Sequence, residues 1–227
     1  MNLIIFDCDG TLVDSQHMIV AAMSRAFTGA GMPPPGRAAI LNVVGLSLAP
    51  AVAKLVSPEL SSAEVRALAE SYKLAFQELR CDPLHHEPLY PGAREALQAL
   101  AQREGAALGI ATGKSRRGVD AVLKREGLDG LFSTIQTADT HPSKPHPSMV
   151  YSALAETGAA PLTTVMIGDT TYDVEMARAA GIPAVGVAWG YHAPADLTAA
   201  GAHTVLTHYG ELIDAVDAIL AQRRETA

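Results

Sequence analysis

Cysteine is nearly absent from this chain. Cys8 and Cys81 are the only two, too few for the disulfide framework that staples small secreted folds. Cys8 falls inside an apolar stretch, where a buried, reduced thiol is the expected state. Positive charge is also scarce: 17 Lys and Arg against 24 Asp and Glu give a formal charge of −7. With no basic stripe to follow a nucleic-acid backbone, an anionic ligand must meet a local cluster of donors. Long apolar runs are missing too. No segment reaches the ~18 residues needed to span a bilayer, and Asp7 and Asp9 interrupt any signal-like stretch at the N-terminus. These absences predict a cytoplasmic protein that partners neither nucleic acid nor membrane.

What is present is apolar substance. Nearly half of the 227 residues are hydrophobic, enough for one large domain or a core domain carrying a smaller insert. The stretch "IIFDCDGTLVDS" (residues 4–15) begins as a buried strand, then places Asp7 and Asp9 at its end. Ionised carboxylates there need a cation or hydrogen-bond donors. Asp14 and Ser15 are expected to cap the helix that follows. Residues 16–29 carry apolar side chains at helical spacing, and residues 61–80 open on a Ser61-x-x-Glu64 capping-box pattern. Nothing between 16 and 84 reads as a strand, so this stretch is expected to be all helical.

From about residue 88 the pattern alternates. Apolar runs at 106–112, 132–138, 163–169, 183–189 and 203–206 are separated by helix-like segments near 92–104, 116–126, 146–157, 171–180 and 209–222. This predicts an α/β fold with a Rossmann-like parallel sheet covered on both faces. Residues 1–15 and 85–227 would form the core domain, and 16–84 a helical insert. In such sheets ligands bind beyond the carboxyl ends of the strands. That rule gathers Asp7, Asp9, Thr112, Gly113, Asp169 and Asp173, with Lys144 from the loop "HPSKPHP", into one candidate site.

Clustered carboxylates repel unless they share a cation, and oxygen ligands without Cys or His favour Mg²⁺. Lys144, the Thr112 hydroxyl and the N–H groups after Gly113 suit phosphate oxygens. One aspartate can attack phosphorus while a second moves the proton. Two look-alikes fail. After Asp7-x-Asp9-x-Thr11 an EF-hand needs Gly where Leu12 stands. "GIATGKS" puts three residues between Gly109 and Gly113 where a P-loop needs four.

The motifs "DCDGT", Thr112, Lys144 in "SKPHP" and "GDTTYD" stand in the order found in haloacid dehalogenase-like phosphatases, and the chain resembles that family. The helical insert is similar to the family's cap domain. "VVGLSL" and "GVAWGYH" resemble the phosphoglycolate-phosphatase branch more distantly. The resemblance implies Asp7 as nucleophile and Asp9 as general acid and base. It implies Mg²⁺ on Asp7, the Asp9 carbonyl and Asp169, with Asp173 either a further ligand or just behind the ligands, and Thr112 and Lys144 on the phosphoryl group. Thr11, Gly113, Lys114, Gly45 and Leu46 would lie on the substrate's side. An acid at position 9 fits phosphoryl transfer, since a halide leaving group needs no proton.

The expected activity is hydrolysis of a small phosphorylated metabolite, 2-phosphoglycolate being one candidate, by a monomer or homodimer. A phosphomutase of the β-phosphoglucomutase type, a pyrophosphatase and a signalling receiver are the alternatives. Arg25, Arg37, Lys54 and Lys114 are candidate partners for a substrate carboxylate. Lys114 reads equally as a rim contact or a solvated lysine. His85 and His86 read as solvated loop residues, His141 and His146 as shapers of the Lys144 loop, and Trp189 and Tyr191 as core or rim packing.

Overall fold

The structure, a computed structural model, describes residues 1–81 and 86–225. Strand β1 (Asn2–Phe6) leads directly into four helices, α1 (Gln16–Gly29), α2 (Arg37–Asn42), α3 (Leu48–Leu55) and α4 (Ser62–Arg80). The chain then alternates through α5 (Ala93–Ala101), β2 (Ala106–Thr112), α6 (Arg116–Glu126), β3 (Thr134–Thr137), α7 (Ser148–Thr157), β4 (Thr164–Gly168) and α8 (Thr171–Ala179). It ends with β5 (Ala184–Val187), α9 (Pro194–Ala200), β6 (Thr204–Leu206) and α10 (Leu212–Glu225). All six expected strands are present. They form one parallel sheet in the order β3-β2-β1-β4-β5-β6.

Strand alternation divides the core into two layers. Ile4, Phe6, Leu108, Ile110, Val165 and Ile167 face α5, α6 and α10. Their neighbours Leu3, Ile5, Ala107, Ala111 and Met166 face α7 and α8. Because side chains alternate across a strand, both faces must be apolar for helices to cover both. No helix among the described residues is long and apolar enough to cross a membrane.

The helical unit after β1 has an interior of its own. Ile19, Met23 and Phe27 of α1 pack with Ile40, Val52 and Leu68, while Met18 and Ala22 meet Ala75 and Leu79 of α4. The capping box at Ser61 and Glu64 forms as the sequence suggests. No strand occurs among described residues 16–81, although the expected edge of the insert at 84/85, like His85, lies outside the described residues.

Three short helices escaped the sequence reading. α2 and α9 each bury a single apolar side chain, Ile40 and Leu197, too little for a helical stripe. α3 buries only Ala51 and Val52. One cap assignment is also corrected. Ser15 occupies the N-cap of α1 without capping it; its hydroxyl turns away to the Asp9 carboxylate instead.

Candidate active site

The strand order reverses direction at β1, with β2 on one side and β4 on the other. Ligands in open parallel sheets bind at such a switch, beyond the carboxyl ends of the strands. Phe6 pairs with Ile110 and with Ile167, so Asp7, Thr112 and Asp169 leave the sheet at nearly the same level. The Asp7 N–H still donates to the Ile167 carbonyl at 2.9 Å, which anchors the first residue past the strand.

Asp7, Asp169 and Asp173 each present a carboxylate oxygen within 4.8 Å of the others, and all three are buried. Lys144 reaches them from the loop before α7. Its ammonium, fully buried, lies 3.0 Å from Asp7 and 2.6 Å from Asp173. Asp169 is clamped by the Thr11 hydroxyl at 2.8 Å on one oxygen and the Tyr191 N–H at 2.9 Å on the other. Gly10 makes this approach possible. Its φ is +85°, and a Cβ there would sit 2.2 Å from Asp169 Oδ2, so only glycine fits both the backbone and the neighbour. Asp173 closes the capping box of α8: its Oδ2 accepts from the Thr170 N–H and hydroxyl, while its Oδ1 accepts from Lys144.

Three carboxylates thus face one ammonium. Asp7 Oδ1 accepts from the Cys8 N–H at 2.7 Å, but Asp7 Oδ2 is buried with no hydrogen-bond partner. A buried carboxylate oxygen left without a donor is costly. The donor set is all oxygen and strongly anionic, which fits a hard divalent cation of the Mg²⁺ type.

Burial, more than any neighbour, pushes the Asp7 carboxyl up to about 6. Asp173 adds to the rise, while Lys144, the Thr112 hydroxyl and the Cys8 N–H oppose it. Asp169 is held well above the ordinary carboxylate range by burial first, then by the charges of Asp173 and Asp7. Both acids therefore bind protons more tightly folded than unfolded. In metal-free protein the contribution of Asp7 to stability is full below about pH 3.8 and is lost as pH rises through about 6, and that of Asp169 is lost in the same direction. Thermal denaturation in chelator should show this fall, smaller in an Asp7→Asn variant, and a saturating divalent cation should abolish it. A flat profile across that window contradicts the charge balance described here.

Asp9 faces a separate polar cluster. Its Oδ1 accepts from the Ser15 hydroxyl at 2.6 Å and from Lys144's counterpart on the other wall, Lys114, at 2.7 Å. Lys114 is neither solvated nor a loose rim group. Its side chain is only 7% exposed and also pairs with Glu87 at 2.7 Å. Burial lowers its proton affinity, but Asp9 and Glu87 more than restore it, so the net shift is upward. Glu87 is nearly fully buried and takes a second cation, Arg80, at 3.2 Å. Sequence reasoning missed Glu87, because nothing local marks a loop acid as the partner of a lysine 27 residues further along.

The aromatic residues do more than pack. The Ser15 and Tyr191 hydroxyls are 3.0 Å apart. The Trp189 indole N–H and the Tyr209 hydroxyl both donate to the Thr11 carbonyl, at 3.1 and 2.6 Å. Thr11 is wholly buried, so it steadies Asp169 from behind. His141 bonds Ser148 and Gln136 at 2.8 and 2.9 Å, in keeping with a role in shaping the loop that carries Lys144.

The helical unit lies directly on this site. A Cβ on Gly113 would come within 2.7 Å of both the Gly45 and Leu46 carbonyls, so the loop between α2 and α3 rests on the turn after β2. Ser143 Oγ accepts from the Ser47 N–H at 2.8 Å. The Asn42 carbonyl is 3.2 Å from both the Tyr172 hydroxyl and His192 Nε2. His192 Nδ1 accepts from the Thr171 N–H, which leaves Nε2 as the donor to Asn42. Between the two units is a cavity of about 560 Å³, lined by Asp7, Asp9, Thr112, Gly113 and Lys114 on one side and by Gly45, Leu46 and apolar helix residues on the other. Of the proposed carboxylate partners, Arg37 bonds Gln16 and Lys54 bonds Tyr172; neither they nor Arg25 line this cavity.

The sequence model of one protein family, haloacid dehalogenase-like hydrolase, matches residues 4–187. A protein named probable phosphatase IndB from Dickeya dadantii is 37% identical over 220 residues, covering 96% of this chain and 94% of the relative. A phosphoglycolate phosphatase of Pseudomonas putida is 32% identical over 193 residues, 84% of this chain and 71% of that one. The crystal structure of a hydrolase from Pseudomonas syringae superposes with a TM-score of 0.84 at 28% identity, covering 96% and 99% of the two chains.

Proposed function

The chain belongs to the haloacid dehalogenase-like hydrolases, and on that premise we propose that it is a Mg²⁺-dependent phosphatase that cleaves a small phosphomonoester through a phosphoryl group carried on Asp7. Asp7 attacks phosphorus and the ester oxygen leaves, taking a proton from Asp9. Asp9 then removes a proton from water, which attacks phosphorus, releases phosphate and regenerates the Asp7 carboxylate. Asp7 and Asp169 are the carboxylates assigned to the metal, with the Asp9 carbonyl. When bound, Mg²⁺ supplies the positive charge that offsets repulsion between the attacking carboxylate and the phosphoryl oxygens. Asp173, whose two oxygens are already bonded, holds Lys144 in place beside Asp7. Thr112 and Lys144 are the donors offered to the phosphoryl group.

The observation that carries this reading is the meeting of three buried carboxylates and one lysine at the strand-order switch, with a partnerless oxygen on Asp7. The helical unit acts as a cap domain over residues 16–84. Seated against Gly113, it keeps bulk water from the first step and must lift for the product to leave. The relative from P. putida is named for phosphoglycolate, which makes that ester the first compound to assay.

Phosphate release should be measured over 2-phosphoglycolate, sugar phosphates, nucleotides and pyrophosphate. At least one monoester should turn over with accumulation of free phosphate. A phosphomutase would instead need a bisphosphate activator and release little phosphate. Chelation should abolish turnover and added Mg²⁺ restore it; activity that survives exhaustive chelation contradicts the metal assignment.

A further inference from the structure

We propose that the natural substrate is the phosphate ester of an uncharged, ring-bearing alcohol, which lies against Tyr72 and Phe76 of α4, and not an ester of a small carboxylic acid such as glycolate. This deepens, and rests on, the phosphatase reading above.

Three observations lead there. The first is size. A cavity of about 560 Å³ falls within the ~300–1,000 Å³ typical of sites that enclose drug-sized ligands, whereas glycolate adds only a two-carbon acid to the phosphoryl group. The second is the wall. Ile40, Val43, Val44, Leu48, Tyr72 and Phe76 line the side facing the catalytic loops, and the Tyr72 and Phe76 rings sit 5.7 Å apart, tilted by 43°. Apolar and aromatic walls favour a leaving group with an apolar face.

The third is where that wall stands and what charge is available to it. Asp9, the residue assigned to protonate the leaving oxygen, is 2.7 Å from the Lys114 ammonium. That ammonium in turn lies 5.2 Å from the centre of the Phe76 ring. The aromatic wall is therefore on the leaving-group side of the site. A glycolate carboxylate there would need a spare cation. Lys114 is already shared by Asp9 and Glu87, and Arg80, 5.1 Å from the Phe76 ring, pairs its charge with Glu87 through Nη2. The buried Arg80 Nε, without a partner, is a single N–H suited to one oxygen of a neutral leaving group. Lys73, at the cavity's exposed edge, pairs with Glu70. Among the described residues the remaining lining cation is Arg117, which is exposed and so available to the solvent-facing end of a longer substrate.

Three alkyl phosphates of similar intrinsic reactivity test this: benzyl phosphate, ethyl phosphate and 2-phosphoglycolate, compared by kcat/KM for phosphate release with saturating Mg²⁺. Benzyl phosphate should exceed each of the others by about tenfold or more, the discrimination that added apolar contact brings. Phe76→Ala should reduce the benzyl-to-ethyl ratio by about tenfold, with Phe76→Leu, which keeps the cap's packing volume, intermediate. A preference for 2-phosphoglycolate overturns the substrate class and leaves the phosphatase reading standing. Equal losses on benzyl and ethyl phosphate in both variants reduce Phe76 to a packing residue and also overturn it. No release from any of the three, while another monoester of the wider panel turns over, overturns this inference alone; no release from any monoester removes the phosphatase reading with it.

Discussion

Replacing Asp7 by Asn should lower the rate of phosphate release by about 10⁴-fold or more, the scale seen when a covalent nucleophile is removed. The amide keeps the shape of the side chain but cannot attack phosphorus, and it withdraws one of the two carboxylates paired with Lys144. Folding should survive the change. Asp7 is buried, its Oδ2 has no partner, and its proton affinity is raised by burial, so the carboxylate is a burden in metal-free protein. The variant's melting temperature in chelator near neutral pH should equal or exceed that of the parent. A variant that is inactive because it is unfolded would show the opposite shift, so the two measurements together separate chemistry from stability. Undiminished activity would end the assignment of Asp7.

Removing the ammonium should do damage of another kind. Lys144→Met keeps the length of the side chain while leaving Asp7 and Asp173 without their partner at 3.0 and 2.6 Å. Breaking a buried pair from one side costs roughly 3–5 kcal/mol. Burial disfavours the charge on Lys144, but Asp173 and Asp7 outweigh burial and raise its proton affinity, which fixes the direction of the pH dependence. The stability that the lysine contributes is present throughout the neutral range and disappears only at strongly alkaline pH. The orphaned carboxylates can relieve their repulsion by taking up protons, so the loss in melting temperature should be larger at pH 8 than at pH 5. Activity should fall by about 10²-fold or more, the scale of a single oxyanion donor. A variant as stable as the parent at pH 8 would mean that Lys144 does not hold the acids together.

The reach of the sequence can be judged from particular residues. Strand β1 was legible because four apolar residues end on an acid, and the sheet followed from five further runs separated by helices. The carboxyl-end rule was then enough to bring Asp7, Thr112, Lys144, Asp169 and Asp173 together, though they are separated by more than a hundred residues. What could not be read depends on pairing between distant segments. Ser15 looks like a cap in isolation, and only the fold shows its hydroxyl bonded to Asp9. Lys114 reads as an ordinary lysine until Glu87 arrives beside it from beyond the helical unit. Tyr191 and Trp189 carry no local sign that one steadies Asp169 and the other the Thr11 carbonyl. Gly113 is only a residue without a side chain in the sequence, and a seat for the Gly45 and Leu46 carbonyls in three dimensions.

The same contrast explains why the strand-end motifs do not reveal the substrate. Chemistry in this fold is written in the strand-end motifs, whereas the cavity wall is made by helices whose apolar residues look like core. Tyr72 and Phe76 pack with the interior of the helical unit and also line the cavity. A helical stripe does not distinguish the two duties.

The central claim is that Asp7 carries the phosphoryl group between two in-line displacements. It is tested most directly with a turned-over monoester whose phosphorus is made chiral by oxygen isotopes, with the configuration of the released phosphate analysed. Two displacements predict overall retention. Clean inversion would mean that water attacks the ester directly, and the role given to Asp7 would be wrong.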